Sequence, residues 1–238
     1  MAQVVKEHLK GKGKVEPVLL AGEPNKEIID YAKRDDISLI AMMTHGQSGI
    51  KRWLLGSTVD KVIRGTNKPV LLIRAGTPLP AREIGILNKL LVPLDGSKES
   101  AVIVPYVEEL ISKVIAEPKP EVTLLQVIAA THYIAAGEAV TNVPYTKAEI
   151  EQLKAETKSY LEKAGSELKG KGVSTKFEVA VGNAAEEIIS FADKINANLT
   201  AMSTHGHSGF SHLSLGSVAD RVLRHGNTPL LLVKPAGA

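Results

Sequence analysis

No cysteine occurs anywhere in the 238 residues. That excludes disulfides, zinc–thiolate centres and thiol catalysis. Phe, Trp and Tyr together make up only 4% of the chain, too few for a surface on which nucleic-acid bases stack. No apolar run approaches the roughly 20 residues that cross a bilayer. The N-terminus lacks the charged-then-apolar pattern of a secretory signal. An excess of one charge is missing as well: the net charge is +3, with Lys and Arg scattered rather than gathered into a patch. Neither nucleic acid nor a membrane surface is therefore an expected partner. What remains is an ordinary globular composition, 44% hydrophobic and 23% charged. A soluble, cytoplasmic protein is expected.

The chain also repeats itself. "MMTHGQSGIKRWLLGSTVDKVIRGTNKPVLLI" begins at Met42, and "MSTHGHSGFSHLSLGSVADRVLRHGNTPLLLV" begins at Met202. At an offset of 160, residues 43–74 and 203–234 share 15 identities in 32 positions. Upstream, Gly22 pairs with Gly182, and Leu39, Ala41 and Met42 pair with Leu199, Ala201 and Met202. Such self-similarity marks a duplicated structural unit.

The shared part reads as strand, helix, strand, glycine loop, helix, strand. In the second copy "KFEVAV" (176–181) is β-rich, and 183–195 carries Ile188, Ile189, Ala192 and Ile195 at helical spacing. "LTAM" is a short buried strand, the loop 203–216 follows, and "PLLLV" (229–233) closes the unit. Ser217 with Asp220, and Ser57 with Asp60, read as capping boxes for the helix after the loop. Gly226 and Gly65 read as its stops. Ahead of the second copy, "KLLVPLDGS" (89–97) is a strand and turn, about 98–115 a helix, and 121–130 a second strand. Residues 129–145 read as a long loop, open to two readings, a lid or a mobile surface segment. Thr146 with Glu149 caps a Lys/Glu-rich amphipathic helix running to about Leu168.

Alternating strands and helices imply a doubly wound, five-stranded parallel sheet covered on both faces. The predicted organisation is a partial repeat over 1–75, a Pro/Gly linker over 76–86, and a complete repeat over 87–238. The first copy aligns from near Tyr160 or Leu161 of the second, opening on the last turns of a helix ("QVVKEHLKGKG"), and has no counterpart of the first two strands. Its fourth strand, "SLIAM" (38–42), is expected to have an unprotected edge, which favours self-association.

A glycine loop between a strand and a helix is a phosphate-binding geometry. Unsatisfied backbone N–H groups and the helix dipole favour an anion there. Gly206, Gly209 and Gly216 let the chain curl close to a ligand. Ser217 offers a hydroxyl to a phosphate or to the helix end. In doubly wound sheets ligands sit at the carboxyl ends of strands, where the strand order reverses, and Asp95 falls there. The same local pattern also suits a purely structural turn with a good N-cap.

"VPLDGS", "LLQV", "MSTHGHSGFSHLSLGSVADRVL" and "NTPLLLV", in this order and spacing, resemble a tandem universal stress protein over essentially the whole chain. The resemblance implies a Rossmann-like fold of the adenine nucleotide alpha hydrolase type, with strand order 3-2-1-4-5. It also implies ATP or another adenine nucleotide as ligand, with or without Mg²⁺. The pattern of ATP-binding members, G-x-x-G-x9-G-S/T, falls on Ser203, Gly206, Gly216 and Ser217, with serine in place of the first glycine. In the first copy Met43 stands there, a bulky side chain against close backbone approach, followed by Gly46, Gly56 and Ser57. The resemblance implies that Pro93, Asp95 and Val127 meet adenine and ribose and that Met202 lines the base pocket. By the same resemblance Gly206, Gly216, Ser217 and Val218 hold phosphates, and the small, polar Ser203 is compatible with binding.

Other chemistries fit less well. His205, His207, His212 and His225 lack metal-site spacing and read as loop residues, or, for His205, which recurs as His45, as a brace of the loop. "GHSGF" and "GQSGI" are not nucleophile elbows, and no P-loop occurs. "DGS" at 95–97 lacks the serine-glycine loop that pyrophosphatase-type enzymes place before the aspartate. The expectation is a stress-response module that binds a small-molecule nucleotide, without catalytic residues or a resident metal. The alternatives are a slow Mg²⁺-dependent ATPase and a structural or interaction module without nucleotide.

Overall fold

The computed structural model describes residues 15–44, 55–74, 87–113, 120–136, 139–206 and 215–235. From the first copy come helix α1 (Pro24–Ala32), strand β1 (Ile40–Met43), helix α2 (Ser57–Gly65) and strand β2 (Val70–Ile73). There follow β3 (Lys89–Leu94), α3 (Lys98–Ala101), α4 (Ile103–Lys113), β4 (Glu121–Ile128), β5 (Thr131–Ala136) and β6 (Ala139–Pro144). The chain continues through α5 (Lys147–Ala164), α6 (Ser166–Gly170), β7 (Ser174–Val181), α7 (Ala184–Lys194), β8 (Leu199–Ser203), α8 (Ser217–His225) and β9 (Leu230–Val233).

Seven strands form one sheet in the order β1-β2-β9-β8-β3-β4-β7. The run β7-β4-β3-β8-β9 is the expected 3-2-1-4-5 arrangement, and all its pairings are parallel. β1 and β2 are also parallel to each other. The two copies join where their last strands meet antiparallel, with Val70 opposite Leu232, Leu71 opposite Leu231 and Leu72 opposite Leu230.

Alternation along the strands divides the core into two layers. Ile40, Val70, Leu72, Leu91, Leu125, Met202, Leu230 and Leu232 face one side, packed with α2, α7 and α8 residues such as Val62, Ile188 and Val222. Leu90, Val92, Leu124, Leu199, Ala201 and Leu231 face the other, beneath Ile103, Val107 and Leu161 of α4 and α5. Burying both faces explains the unbroken apolar runs of β3 and β9.

Several expectations change. The helix expected over 98–115 breaks at Val102. Pro105 has no N–H to offer the Ala101 carbonyl, and its ring crowds that carbonyl. The helix expected to Leu168 is interrupted at Gly165. The long loop 129–145 contains an antiparallel hairpin, β5 with β6, anchored by Tyr145 N–H donating to the Ala130 carbonyl. The first copy's 16–21 is not a strand. Its counterpart β7 exists by pairing with β4, and the first copy brings no equivalent of β4. Leu19 there is 94% exposed. Gly56 and Gly216, not Ser57 and Ser217, are the N-caps of α2 and α8. Asp60 and Asp220 do not close capping boxes; they pair with Arg64 and Arg224 one turn on. Gly65 is the last residue of α2 rather than its stop, which falls at Thr66. The N-terminal "QVVKEHLKGKG" and the linker 76–86 lie outside the described residues, as do His45, Gly46, His207, Gly209 and His212.

Candidate functional site

Strand β3 ends at the middle of the sheet, between β4 and β8, so its carboxyl end faces the crevice where the chain changes direction across the sheet. Asp95 follows immediately. Gly96 turns the chain at φ 86°, a left-handed conformation suited to glycine, and Ser97 caps α3 by accepting from Ser100 N–H. The turn fixes the carboxylate: Asp95 Oδ1 accepts from the Ser97 N–H at 2.9 Å and from the Ser97 hydroxyl at 2.5 Å. Ser100 Oγ in turn accepts the Asp95 N–H at 3.2 Å. Tyr160 of α5 lies behind. Burial pushes its phenol up, and the Asp95 charge adds to the shift.

Across the crevice, β8 runs into Thr204, His205 and Gly206. Ser203 and Thr204 are buried. Ser203 Oγ accepts the His205 N–H at 3.3 Å, and Thr204 Oγ1 lies 2.9 Å from His205 Nδ1. His205 thus braces the turn, as expected. Gly216 N–H donates to the Thr204 carbonyl at 2.9 Å and ties the start of α8 to the end of β8. A Cβ at position 216 would stand 2.8 Å from that carbonyl oxygen. The first helical bond of α8 runs from Asp220 N–H to Gly216 C=O. Ser217, Val218 and Ala219 therefore have no intrahelical acceptor for their N–H groups.

These elements line a cleft of about 110 Å³. Pro93, Asp95, Val127, Met202, Ser203, Gly206, Gly216, Ser217 and Val218 all line it. Sequence reasoning missed Leu94, Ser100, Leu125, Ala184, Ile188, Thr204, His205 and Ala219. Of these, Ile188 was legible only as a helical core position, and Ser100 carries no signal beyond its spacing from Ser97. The cleft lining combines apolar Leu125, Val127, Ile188 and Met202 with the start of α8 and with Asp95. Its described lining contains no Lys or Arg, so backbone N–H groups and the α8 dipole supply the positive potential. Among the described residues no cluster of three His, Asp or Glu is placed to hold a metal ion. No described helix is long and apolar enough to cross a membrane.

A parallel sheet whose switch point opens into a cleft under a helix N-terminus defines a doubly wound, Rossmann-like α/β protein. The sequence model of the Universal stress protein family matches residues 2–74 and 87–234. The chain belongs to that family. It is similar to Universal stress protein MJ0577 of Methanocaldococcus jannaschii, 37% identical over 71 residues, 29% of this chain and 44% of that protein. The solved MJ0577 structure gives a TM-score of 0.51 at 26% identity, covering 64% of this chain and 99% of that one. Universal stress protein Slr1230 of Synechocystis is 26% identical over 199 residues, 83% of this chain and 58% of that protein. A universal stress protein structure from Archaeoglobus fulgidus shares the fold, with a TM-score of 0.60 at 20% identity, covering 99% of this chain and 78% of that one. The chain spans about half the length of the curated relatives it matches.

Proposed function

We propose that the protein is a stress-response module that binds an adenine nucleotide (ATP, ADP or AMP) in a complete repeat over 87–238. A partial repeat over 1–75 precedes it, joined by the linker 76–86. The observation that carries the reading is the lining of the cleft: apolar Leu125, Val127, Ile188 and Met202 suit a base, the N-terminus of α8 suits phosphate, and the Asp95 carboxylate suits the hydroxyls of a ribose. Asp95 Oδ1 is held by Ser97, and Oδ2 approaches Gly206, so the carboxylate is pre-positioned to accept from a diol. The cleft offers Mg²⁺ no carboxylate cluster. A Mg²⁺ accompanying a di- or triphosphate would take most of its ligands from phosphate oxygens and water. The module acts in the cytoplasm, as a binding or regulatory protein that self-associates.

Titration calorimetry of the purified chain with ATP tests the reading. Saturable binding is expected, lost in Asp95→Ala and retained in Ser57→Ala. The same experiment with GTP is expected to show weaker binding. No heat at millimolar ATP would replace the reading with that of a structural or interaction module.

A further inference from the structure

The described lining of the cleft carries no Lys or Arg, and neither does the sequence 203–216. The start of α8 can hold one phosphate; a cation for phosphates beyond it has to come from the rim. Two helices open there. Ala184 begins α7 and Ser217 begins α8, both residues line the cleft, and the two helices pack against each other. Glu186, in the first turn of α7, meets Arg221, one turn beyond Ser217 on α8, at 4.0 Å. The two side chains are 72% and 53% exposed. An exposed pair of this kind contributes little, so the guanidinium can leave it at small cost. Long helical side chains run back over the preceding turn, which gives Arg221 reach toward Ser217. In the first copy α1 likewise packs on α2, yet the offset of 160 puts Lys26 and Lys61 at these two positions. The helix packing therefore does not require the pair, which belongs to the copy that has the cleft.

We propose that Arg221 selects for the length of the phosphate chain. It turns from Glu186 to the outer phosphates of a bound nucleotide, where its planar fork meets two oxygens of one phosphate. This rests on the adenine-nucleotide reading above and adds a ranking to it, ATP over ADP over AMP. Glu186 acts in the opposite sense. It keeps Arg221 at the rim of the free protein, competes for the guanidinium once phosphate arrives, and repels the phosphates by its own charge. A monophosphate ends at the start of α8 and is indifferent to both residues.

Calorimetry of the full chain with ATP and with AMP, alongside three variants, tests this. Arg221→Gln is expected to weaken ATP about tenfold, the loss of one charge-assisted contact, and to leave AMP unchanged. Glu186→Gln is expected to tighten ATP and, again, to leave AMP unchanged. Lys61→Gln, at the equivalent position of the first copy, is expected to change neither. All three positions are exposed, so circular dichroism is expected to stay the same. An Arg221→Gln protein that binds ATP as before, or that loses AMP as much as ATP, overturns the proposal and leaves the nucleotide reading standing. So does a Glu186→Gln protein that binds ATP no more tightly than the unaltered chain. If the unaltered chain binds neither nucleotide, the nucleotide reading falls and the proposal with it. If Arg221→Gln fails to fold, Glu186→Gln decides alone.

Discussion

Asp95 and Gly206 occupy adjoining space across the cleft, and each constrains the other. A Cβ at position 206 would collide with Asp95 Oδ2, and the carboxylate has little freedom to withdraw because Ser97 holds Oδ1 through both its N–H and its hydroxyl. Gly206→Ala is therefore expected to displace Asp95 and abolish nucleotide binding while the fold persists, read by calorimetry beside circular dichroism. Gly216→Ala drives a Cβ to 2.8 Å from the Thr204 carbonyl, whereas at Gly56 the equivalent distance to the Thr44 carbonyl is 3.2 Å. Overpacking of this kind costs about 1–3 kcal/mol. Urea unfolding is expected to show the larger loss for Gly216→Ala and little for Gly56→Ala. The glycines were legible because their loop recurs, Asp95 because it ends the first strand of the complete repeat where ligands sit, and Met202 through the family resemblance. Thr204 and Ile188 were not, because an ordinary buried threonine and a helical isoleucine look the same whether or not a cleft passes beside them.

Helix α8 is held at both ends by different parts of the chain. Its start is tied to Thr204. Its last turn accepts two bonds from Arg74 of the first copy, to the Leu223 carbonyl at 2.7 Å and the Arg224 carbonyl at 2.6 Å. A cation there satisfies orphan carbonyls and complements the helix dipole, although burial pulls the Arg74 guanidinium below its ordinary value. Arg74→Gln is expected to cost about 2 kcal/mol in urea unfolding, with partial recovery in Arg74→Lys. Helix α5 shows how local signals survive folding. Thr146 and Glu149 form the reciprocal capping box that their spacing announces. The Thr146 N–H and then its hydroxyl hold the Glu149 carboxyl below its ordinary 4.5. With the folded value depressed, the cap contributes stability above pH 4.5 and loses it as pH falls through the lower folded value. Amide protection factors in the first turn of α5 are expected to fall over that acid range, and Glu149→Gln to remove the dependence. Where a strand depends on a distant partner, sequence fails. The 16–21 segment aligns with β7 but carries Pro17 and has no partner strand among the described residues. β5 and β6 read as loop because no Asn-Gly or Asp-Gly turn announces their hairpin.

At the scale of the molecule, the duplicated loop does not predict a duplicated site. The first copy keeps Gly56 N–H on the Thr44 carbonyl at 3.1 Å and the bare start of α2, but this sequence holds no counterpart of Asp95 or Val127 in that copy. One nucleotide per chain is expected, and native mass spectrometry with ATP reads it directly. A second equivalent site would overturn the assignment. The alternation of strands and helices in the complete repeat was legible in the sequence; its strand order, 3-2-1-4-5, came only from the family resemblance. The apolar last strands read as needing cover on both faces, but that they meet edge to edge and antiparallel is a finding of the fold.

That joint also sets a timetable. Leu71 meets Leu231 across 160 residues of chain. At roughly 5–20 residues per second, the ribosome makes β9 about 8–30 s after β2. Throughout that interval the edge of Val70–Ile73 that β9 will cover stands open. Until its partner emerges, that edge is a stretch for a chaperone to shield.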